Sequence, residues 1–556
     1  MHQTSQALQA AIRHAFNMQA AVELTRPDEQ FGDYTTNVAL QLAAKLGKNP
    51  REVAQAIVDA LISVAEIKEV SVAGPGFINI RLADSVLFEQ ALSAATIKPH
   101  NYKAKVVVAE YGDPNPFKIL HAGHLYTDVV GDAVANLMEV SGGDVHRVNF
   151  GGDVGLHVAR CMWGILRALG GEHPEKLKDI AESERSNWMT KRYVEGTTAD
   201  EDGDAATKAT IVQLNKRIYQ LHADADHDSP FAQIYWTCRQ WSYDYFAYFY
   251  DRLGSRFEKY YPESENAALG VQIVKEQLKK GIYEESNGAV IFRGEPFGLH
   301  TRVFITNEGL PTYEAKDVGL IMAKWRDYHF DTSLIITSNE QAEYMKVVVK
   351  SIEQFMPELA SRAVHLTHGV LKLAGGQKMS SRRGNILRAT DILDAAAAAS
   401  KKARGHDDPV VTVAAVKYAM LKQRIGGDII YNPEESVSLE GNSGPYLQYA
   451  YARARSILAK AQPGENTTNG LDTAERSLAR KLSEYPEVIE KAVADLMPHH
   501  ICTYLYELAQ TFNRFYEKSR VIGDERQALR LQLVSRYADV LKDGLKILNI
   551  EAPEHL

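Results

Sequence analysis

The sequence has little cysteine: Cys161, Cys238 and Cys502 in 556 residues, widely separated and without a CxxC pair. That argues against a disulfide framework and against a structural zinc site. No stretch approaches the roughly 20 uninterrupted apolar residues of a membrane helix. The opening MHQTSQALQAAIRHAF lacks the apolar run and small-residue cleavage site of a secretory signal. A soluble, cytoplasmic protein without a membrane partner is expected. Internal repeats and low-complexity tracts are missing too. Neither charge dominates: 63 Lys and Arg face 71 Asp and Glu, a net −8. A general affinity for polyanions is therefore disfavoured, and any nucleic-acid contact has to be local. What the chain does have is core-forming residues, 45% hydrophobic against 24% charged, the proportions of a folded protein. At about 100–200 residues per domain, its length suggests about three domains.

Residues 1–100 read as a small α+β domain. TTNVALQLAAKL and REVAQAIVDALISV have helical spacing, and the strand-like SVAG and FINIRL are joined at Pro75-Gly76, which predicts two helices on a short sheet. KPHNYKAK supplies a linker near 98–104. Beyond it, KVVVAEY (105–111), the helical GHLYTDVVGDAVANLMEV and DVHRVNF form a β-α-β unit. TSLIITS (332–338) and AVHLTHG (363–369) add strands. The expected fold class is α/β. A Rossmann-type parallel sheet with covering helices spans 104–395, interrupted by a mostly helical insertion at about 165–300. After the join DAAAAASKKARGHDD, residues 396–556 carry helical periodicity almost throughout and predict an all-α bundle.

The first strand leads into Asp113-Pro-Asn-Pro-Phe-Lys118-Ile-Leu-His121-Ala-Gly123-His124. A strand, a Pro- and Gly-punctuated turn and a helix place backbone N–H groups and a positive dipole end where an anion sits, a phosphate site in outline. His121 and His124 are three apart and share a face of the first helical turn, and Gly123 leaves room for a flat base against the backbone. With Lys118 they can follow a phosphate through its transition state. Alone, the pattern also describes a capped helix with surface histidines. Far downstream, Gly375-Gly-Gln-Lys378-Met379-Ser380-Ser381-Arg382-Arg383-Gly-Asn forms a basic, glycine-flanked loop. Such a loop suits closure over a triphosphate and neutralisation of departing pyrophosphate. Alone, it is more often a solvated charged turn.

Together, HxGH after a first strand and KMSS in a later loop resemble the paired signatures of class I aminoacyl-tRNA synthetases. Over nearly the whole chain the sequence is similar to the arginyl-tRNA synthetase family. FGDYTTNVALQLA and GPGFINIRL resemble its additional N-terminal domain. EYGDPNPFKILHAGHL, RVNFGGDVGLHV and LPTYEAKDVG resemble its catalytic core. EGNSGPYLQYAYARARSIL and LAQTFNRFYEKSRVI resemble its anticodon-binding bundle, in the same order. The residues agree: Tyr313 and Asp317, four apart, share a helix face, and a carboxylate beside a phenol suits a guanidinium. Spacing alone does not separate this pair from an ordinary helix surface; its place between the two signatures does. Glu110 at the strand end adds a second carboxylate and Asn115 a neutral partner.

The resemblance implies a ligase that activates L-arginine with ATP, Mg²⁺ being carried with the nucleotide, and passes the arginyl group to the terminal adenosine of arginine tRNA, with tRNA needed even for the first step. It implies His121, His124, Lys118 and Lys378 as catalytic residues and Gly123, Met379, Ser380 and Ser381 as ATP contacts. Glu110, Asn115, Tyr313, Asp317 and Gln341 are implied to bind arginine. A monomer is the family expectation. A site built around buried carboxylates discriminates by roughly 10⁴–10⁵ without an editing domain. For tRNA, Phe77 and Asn79 are candidates for an unstacked D-loop base, although an alternating strand with Phe77 in the core fits equally. Tyr446, Gln448, Tyr449 and Arg453 are candidates for the anticodon, but their spacing covers more than one helix face, so several pack internally. The sequence departs from the family at Ser381, where the general signature has lysine, at Gly112-Asp113, where two serines are usual, and at Val154 and Leu156-His157, which replace Trp and Thr-Gln. A class I enzyme for glutamate or lysine would share both signatures without needing the Tyr313/Asp317 pair. A non-catalytic RNA-binding paralogue would tolerate loss of the histidines.

Overall fold

The computed structural model describes residues 2–374, 387–461 and 470–556. Its first unit runs α1 (His2–Phe16), β1 (Tyr34–Thr36), α2 (Val38–Leu46), α3 (Pro50–Leu61), β2 (Ile67–Ala73), β3 (Phe77–Leu82) and α4 (Asp84–Ser93). Asn49 starts α3 by accepting the Arg51 N–H, with Pro50 in the first turn, and Val53, Ala54, Ile57, Val58 and Leu61 form its buried face. The three strands pair antiparallel in the order β1-β3-β2. Alternation along β3 buries Ile78, Ile80 and Leu82 and leaves Phe77 exposed, which answers the question about Phe77 in favour of the surface. Two helices were expected here and four form. The opening segment is amphipathic enough to dock as α1, and β1 is too short to show periodicity.

The central unit contains β4 (Val106–Glu110), α5 (Ala122–Val140) and β5 (Asp144–Gly151), the expected β-α-β, and then four helices, α6 (Leu156–Leu169), α7 (Arg185–Asp202), α8 (Ala205–Ala223) and α9 (Pro230–Leu253). These build a core of their own around Met162, Ile211, Ile218, Phe231 and Trp241. The chain continues through β6 (Lys259–Pro262), α10 (Glu263–Leu278), β7 (Glu284–Ser286), β8 (Ala289–Phe292), β9 (Arg302–Ile305), α11 (Tyr313–Tyr328), β10 (Thr332–Ser338), α12 (Ala342–Glu353), α13 (Pro357–Ala360) and β11 (Ala363–His368). The parallel sheet has the order β11-β10-β4-β5-β6. The insertion expected at 165–300 is thus corrected: β6, inside that range, is a strand of the parallel sheet and pairs with β5. Four residues, Lys-Tyr-Tyr-Pro, are too few to announce a strand by pattern.

The remaining elements are β12 (Leu371–Leu373), α14 (Ala389–Arg404), α15 (Pro409–Leu421), β13 (Ile429–Tyr431), α16 (Pro433–Ser436), α17 (Gly444–Lys460), α18 (Thr473–Ser483), α19 (Tyr485–Asp495), α20 (His499–Lys518) and α21 (Gln527–Ile547). The boundary expected at 395/396 falls inside α14, and β13 pairs back onto β12. The alanine-rich join therefore continues a helix instead of separating two units. Among the described residues no helix is long and apolar enough to cross a membrane.

Two contacts set the geometry that matters for the site. Helices α10 and α11 touch backbone to backbone: an added Cβ would lie 1.9 Å from Ala315 O at Gly270 and 2.3 Å from Asn266 O at Gly319. The N-terminal unit is clamped to the bundle by buried charge. Arg476 donates to Asp33 at 2.5 Å and also to Asp84, while Arg26 forks onto Glu487 at 2.9 and 3.0 Å. Without Arg476 the buried Asp33 keeps only Arg480 as an ion-pair partner, at 3.7 Å, while Asp84 retains Lys68 at 3.1 Å. Arg476→Met is expected to destabilise the protein by about 3–5 kcal/mol and to speed proteolysis between the N-terminal unit and the rest; limited proteolysis with denaturant unfolding measures both.

Candidate active site

A cavity of about 570 Å³ opens at the carboxyl ends of the parallel strands, lined by Glu110 from β4, Phe150 of β5 and Gly152 just after it, Thr337 and Ser338 from β10, His368 from β11, and Tyr313 and Asp317 from α11. Strand β4 has β5 on one side and β10 on the other, so the cavity lies where the direction of the connections reverses, the place where open α/β sheets bind ligands. The expected residues Glu110, Asn115, His121, Gly123, His124, Tyr313, Asp317 and Gln341 all line this one cavity.

The turn after β4 takes left-handed backbone at Gly112 (φ +85) and Asp113 (φ 46). A Cβ at Gly112 would lie 2.5 Å from Asp128 Oδ1 and 2.9 Å from Asn149 Nδ2, so any larger residue here requires those side chains to shift. His121 is then the N-cap of α5. Its Nδ1 accepts the Gly123 N–H at 3.1 Å, and His124 Nδ1 accepts the His121 N–H at 3.1 Å. A ring nitrogen that accepts carries no proton, so each neutral imidazole holds its proton on Nε2 as a donor. Burial and the nearby Lys118 ammonium push His121 down to about 4, and burial, His121 and Lys118 hold His124 well below the usual imidazole range. Two neutral N–H donors at a helix N-terminus suit a polyphosphate without proton transfer. The Thr127 hydroxyl lies 2.9 Å from Gly123 O and 2.7 Å from His368 Nε2, tying the end of β11 to this turn.

Lys378, Met379, Ser380 and Ser381 lie outside the described residues. The chain just after them is placed: the Ala122 N–H donates to Leu387 O and the Ala389 N–H to Leu120 O, both at 2.9 Å, so His121 and Arg388 form an antiparallel bridge. The stretch that follows the second signature is therefore hydrogen-bonded to the first. The inserted helix α7 touches both sides, with Lys118 Nζ 4.9 Å from the Tyr193 ring centroid and Arg388 donating to Asn187 Oδ1 at 3.0 Å. Lys118 is not among the residues lining the cavity; its ammonium lies against Tyr193 of α7, close enough to bear on both histidines.

Most acids of the cavity already have partners. Glu110 pairs with Lys324, Glu263 with Lys316 at 2.6 Å and Glu314 with Arg302 at 3.3 Å, while Asp113 accepts the Phe150 N–H at 2.8 Å. Asp317 has no hydrogen bond or ion pair among the described residues, and burial together with Glu110 and Glu263 holds its carboxyl well above the usual range. A buried carboxyl in this condition lacks a cation. Lys324, Lys316, Glu263 and His368 were not read from the sequence. The available signal was two lysines in the small and apolar run Ala-Lys-Asp-Val-Gly-Leu-Ile-Met-Ala-Lys of α11. His157 Nε2 lies 2.7 Å from Gly152 O, and Val154 is core. No group of three metal-ligating side chains is found among the described residues.

The RNA candidates divide. Phe77 is exposed and Asn79 half-buried on the outer face of β3. Arg453 lies over Tyr516 at 4.5 Å beside the exposed Tyr449, and the Tyr446 hydroxyl accepts from Asn513 at 2.9 Å. Gln448 is corrected: it has no exposed surface and donates to Glu551 O at 2.8 Å, so it ties α17 to the C-terminal segment and is closed to an anticodon.

A parallel sheet with an HxGH cap at its switch point and a second signature's stem bonded to it defines a class I aminoacyl-tRNA synthetase. Family models agree along the chain: "Arginyl tRNA synthetase N terminal domain" at residues 2–82, "tRNA synthetases class I (R), catalytic domain" at 86–432 and "DALR anticodon binding domain" at 447–556. The chain belongs to the arginine--tRNA ligase family. It is 31% identical to the arginine--tRNA ligase of Shewanella oneidensis over 97% of this chain and 96% of that one, and 28% identical to that of Flavobacterium psychrophilum over 91% and 90%. The arginyl-tRNA synthetase structure from Thermus thermophilus shares the fold, with a TM-score of 0.79 at 24% identity over 100% of both chains.

Gly112→Ala is expected to destabilise the protein by about 1–3 kcal/mol through overpacking, and adding Asp128→Ala should restore part of the loss, both measured by thermal unfolding.

Proposed function

We propose that this protein activates L-arginine with ATP to arginyl-adenylate and transfers arginine to the terminal adenosine of arginine tRNA, releasing AMP and pyrophosphate. The observation that carries the reading is the juxtaposition of an unmatched buried carboxyl, Asp317, with two neutral imidazole donors in one cavity. One end calls for a cation and the other for a polyphosphate. Asp317 and Tyr313 take the guanidinium, Glu110, Asn115 and Gln341 the remaining polar groups of arginine. The arginine carboxylate attacks the α-phosphate, and His121 and His124 donate to the charge that develops while Lys118 and Lys378 add positive field. Gly123 leaves room for the base; Met379, Ser380 and Ser381 cover the phosphates, and Mg²⁺ arrives with ATP. No side chain forms a covalent intermediate. Residues 1–100 with Phe77 and Asn79 meet the D-loop, and the bundle meets the anticodon through Tyr446, Tyr449 and Arg453. The reading is of a monomer acting in the cytoplasm.

Pyrophosphate exchange with each of the twenty amino acids, in the presence of arginine tRNA, should proceed with arginine; exchange with another amino acid instead would end the reading. Asp317→Asn should raise the arginine KM about 10- to 150-fold, the scale of a charged hydrogen bond, with the ATP KM nearly unchanged. Burial, with Glu110 and Glu263, raises the Asp317 carboxyl above its usual range, so below that raised range arginine binding is expected to release a proton, and affinity to strengthen as pH rises toward it. Calorimetry in two buffers of different ionisation enthalpy detects that proton, and Asp317→Asn abolishes the difference.

A further inference from the structure

The pairing of the cavity's acids is uneven. Glu110 ends β4 and is 3% exposed. Its Oε2 accepts from Lys324 Nζ, the hydrogen bond its carboxylate makes among the described residues, and its Oε1 takes no part in it. Lys324 has no exposed surface, and its ammonium also donates to Ser333 Oγ of β10 at 3.0 Å. It stands on α11 two turns beyond Asp317, among buried Leu320, Ile321 and Ala323. A hydrophobic side chain fills such a place at lower desolvation cost than an ammonium does, so stability is a weak reason for a lysine here. What the lysine does is electrostatic and directional: it engages one oxygen of Glu110, limits the rotamers of that carboxylate and cancels one negative charge beside Asp317.

The charge balance then bears on the substrate. Glu263 and Glu314 are cancelled by Lys316 and Arg302, and Glu110 by Lys324, while Asp113, Asp317 and Glu340 of the lining have no cation of their own among the described residues, so loss of Lys324 adds one more uncancelled acid to the cavity. L-Arginine carries a guanidinium, an ammonium and a carboxylate, a net single positive charge. Its decarboxylated analogue agmatine carries two positive charges and no negative one.

We propose that Lys324 is a positioning and specificity-determining residue: by pinning one oxygen of Glu110 it leaves the other for the substrate, and by cancelling the Glu110 charge it withholds an acid that would favour a dication over arginine. The inference rests on the arginine reading above.

The test compares the arginine KM with the inhibition constant of agmatine during tRNA charging, in the native protein and in Lys324→Met, Glu110→Gln and the double variant. Lys324→Met should raise the arginine KM roughly tenfold or more, the scale of a charge-assisted contact, leave the ATP KM nearly unchanged, and shift selectivity toward agmatine. In the Glu110→Gln background the same substitution should not raise the arginine KM further, and, because it removes the charge that Gln leaves uncancelled, it should return the selectivity toward the native value. Equal losses for arginine and agmatine, or a further loss in the Glu110→Gln background, would overturn the proposal. If Lys324→Met alone does not fold, Glu110→Gln against the double variant decides. Failure of the double variant to fold where Glu110→Gln does would show that Lys324 acts independently of Glu110, and that also overturns it. An Asp317→Asn variant with an unchanged arginine KM would remove the arginine reading itself; a normal Asp317→Asn loss beside additive Lys324 and Glu110 effects removes this inference alone.

Discussion

Carboxylates buried at the carboxyl edge of a parallel sheet have to be matched by positive charge, and much of this site is an answer to that requirement. Strand β4 ends in Glu110 and α11 presents Asp317 a short distance away. The same helix supplies two of the cations. Lys316 reaches Glu263 because α10 and α11 lie close enough, across Gly270 and Gly319, for their backbones to touch, and Lys324 reaches Glu110 from the far side. Asp317 is left over. A site that keeps a buried acid unmatched accepts instability in the empty state that a cationic ligand relieves.

The second requirement is that the nucleotide end be ready before the nucleotide arrives. His121 and His124 spend their Nδ1 atoms on the backbone of their own turn, which fixes the tautomer and leaves both Nε2–H groups as donors. Neutral donors held in place by a cap suit charge stabilisation better than acid–base work, because they need no reorganisation as the phosphate charge develops. The short antiparallel join between residues 120–122 and 387–389 and the contacts from α7 to Lys118 and Arg388 hold the histidine turn in the same rigid neighbourhood as the chain that follows the second signature.

How much of this was legible varies with the length scale of the signal. Long periodic segments were: β4, α5, β5, β10, β11 and the C-terminal helices are where hydrophobic spacing places them. Short ones were not. Strand β1 and strand β6 have too few residues for a period to repeat, so their membership in a sheet comes from pairing partners distant in sequence. The alanine-rich stretch after residue 389 marks a join by composition, yet backbone hydrogen bonding carries α14 through it. Gln448 sits among aromatics and arginines that suggest RNA, but helix phase turns it inward onto Glu551 O.

By itself the sequence determined the order of the units, the chemistry of the histidine turn and the pairing of Tyr313 with Asp317 on one helix face, because these depend on residue identity and on spacing along a few turns. Only the tertiary structure decided which carboxylates are matched and which is not. Lys324 and Glu110 are far apart in the chain, and no local pattern marks a lysine as buried opposite an acid. That outcome depends on how strand β4, strand β10 and helix α11 pack, and it is the packing that turns a group of acids into a seat for one cation.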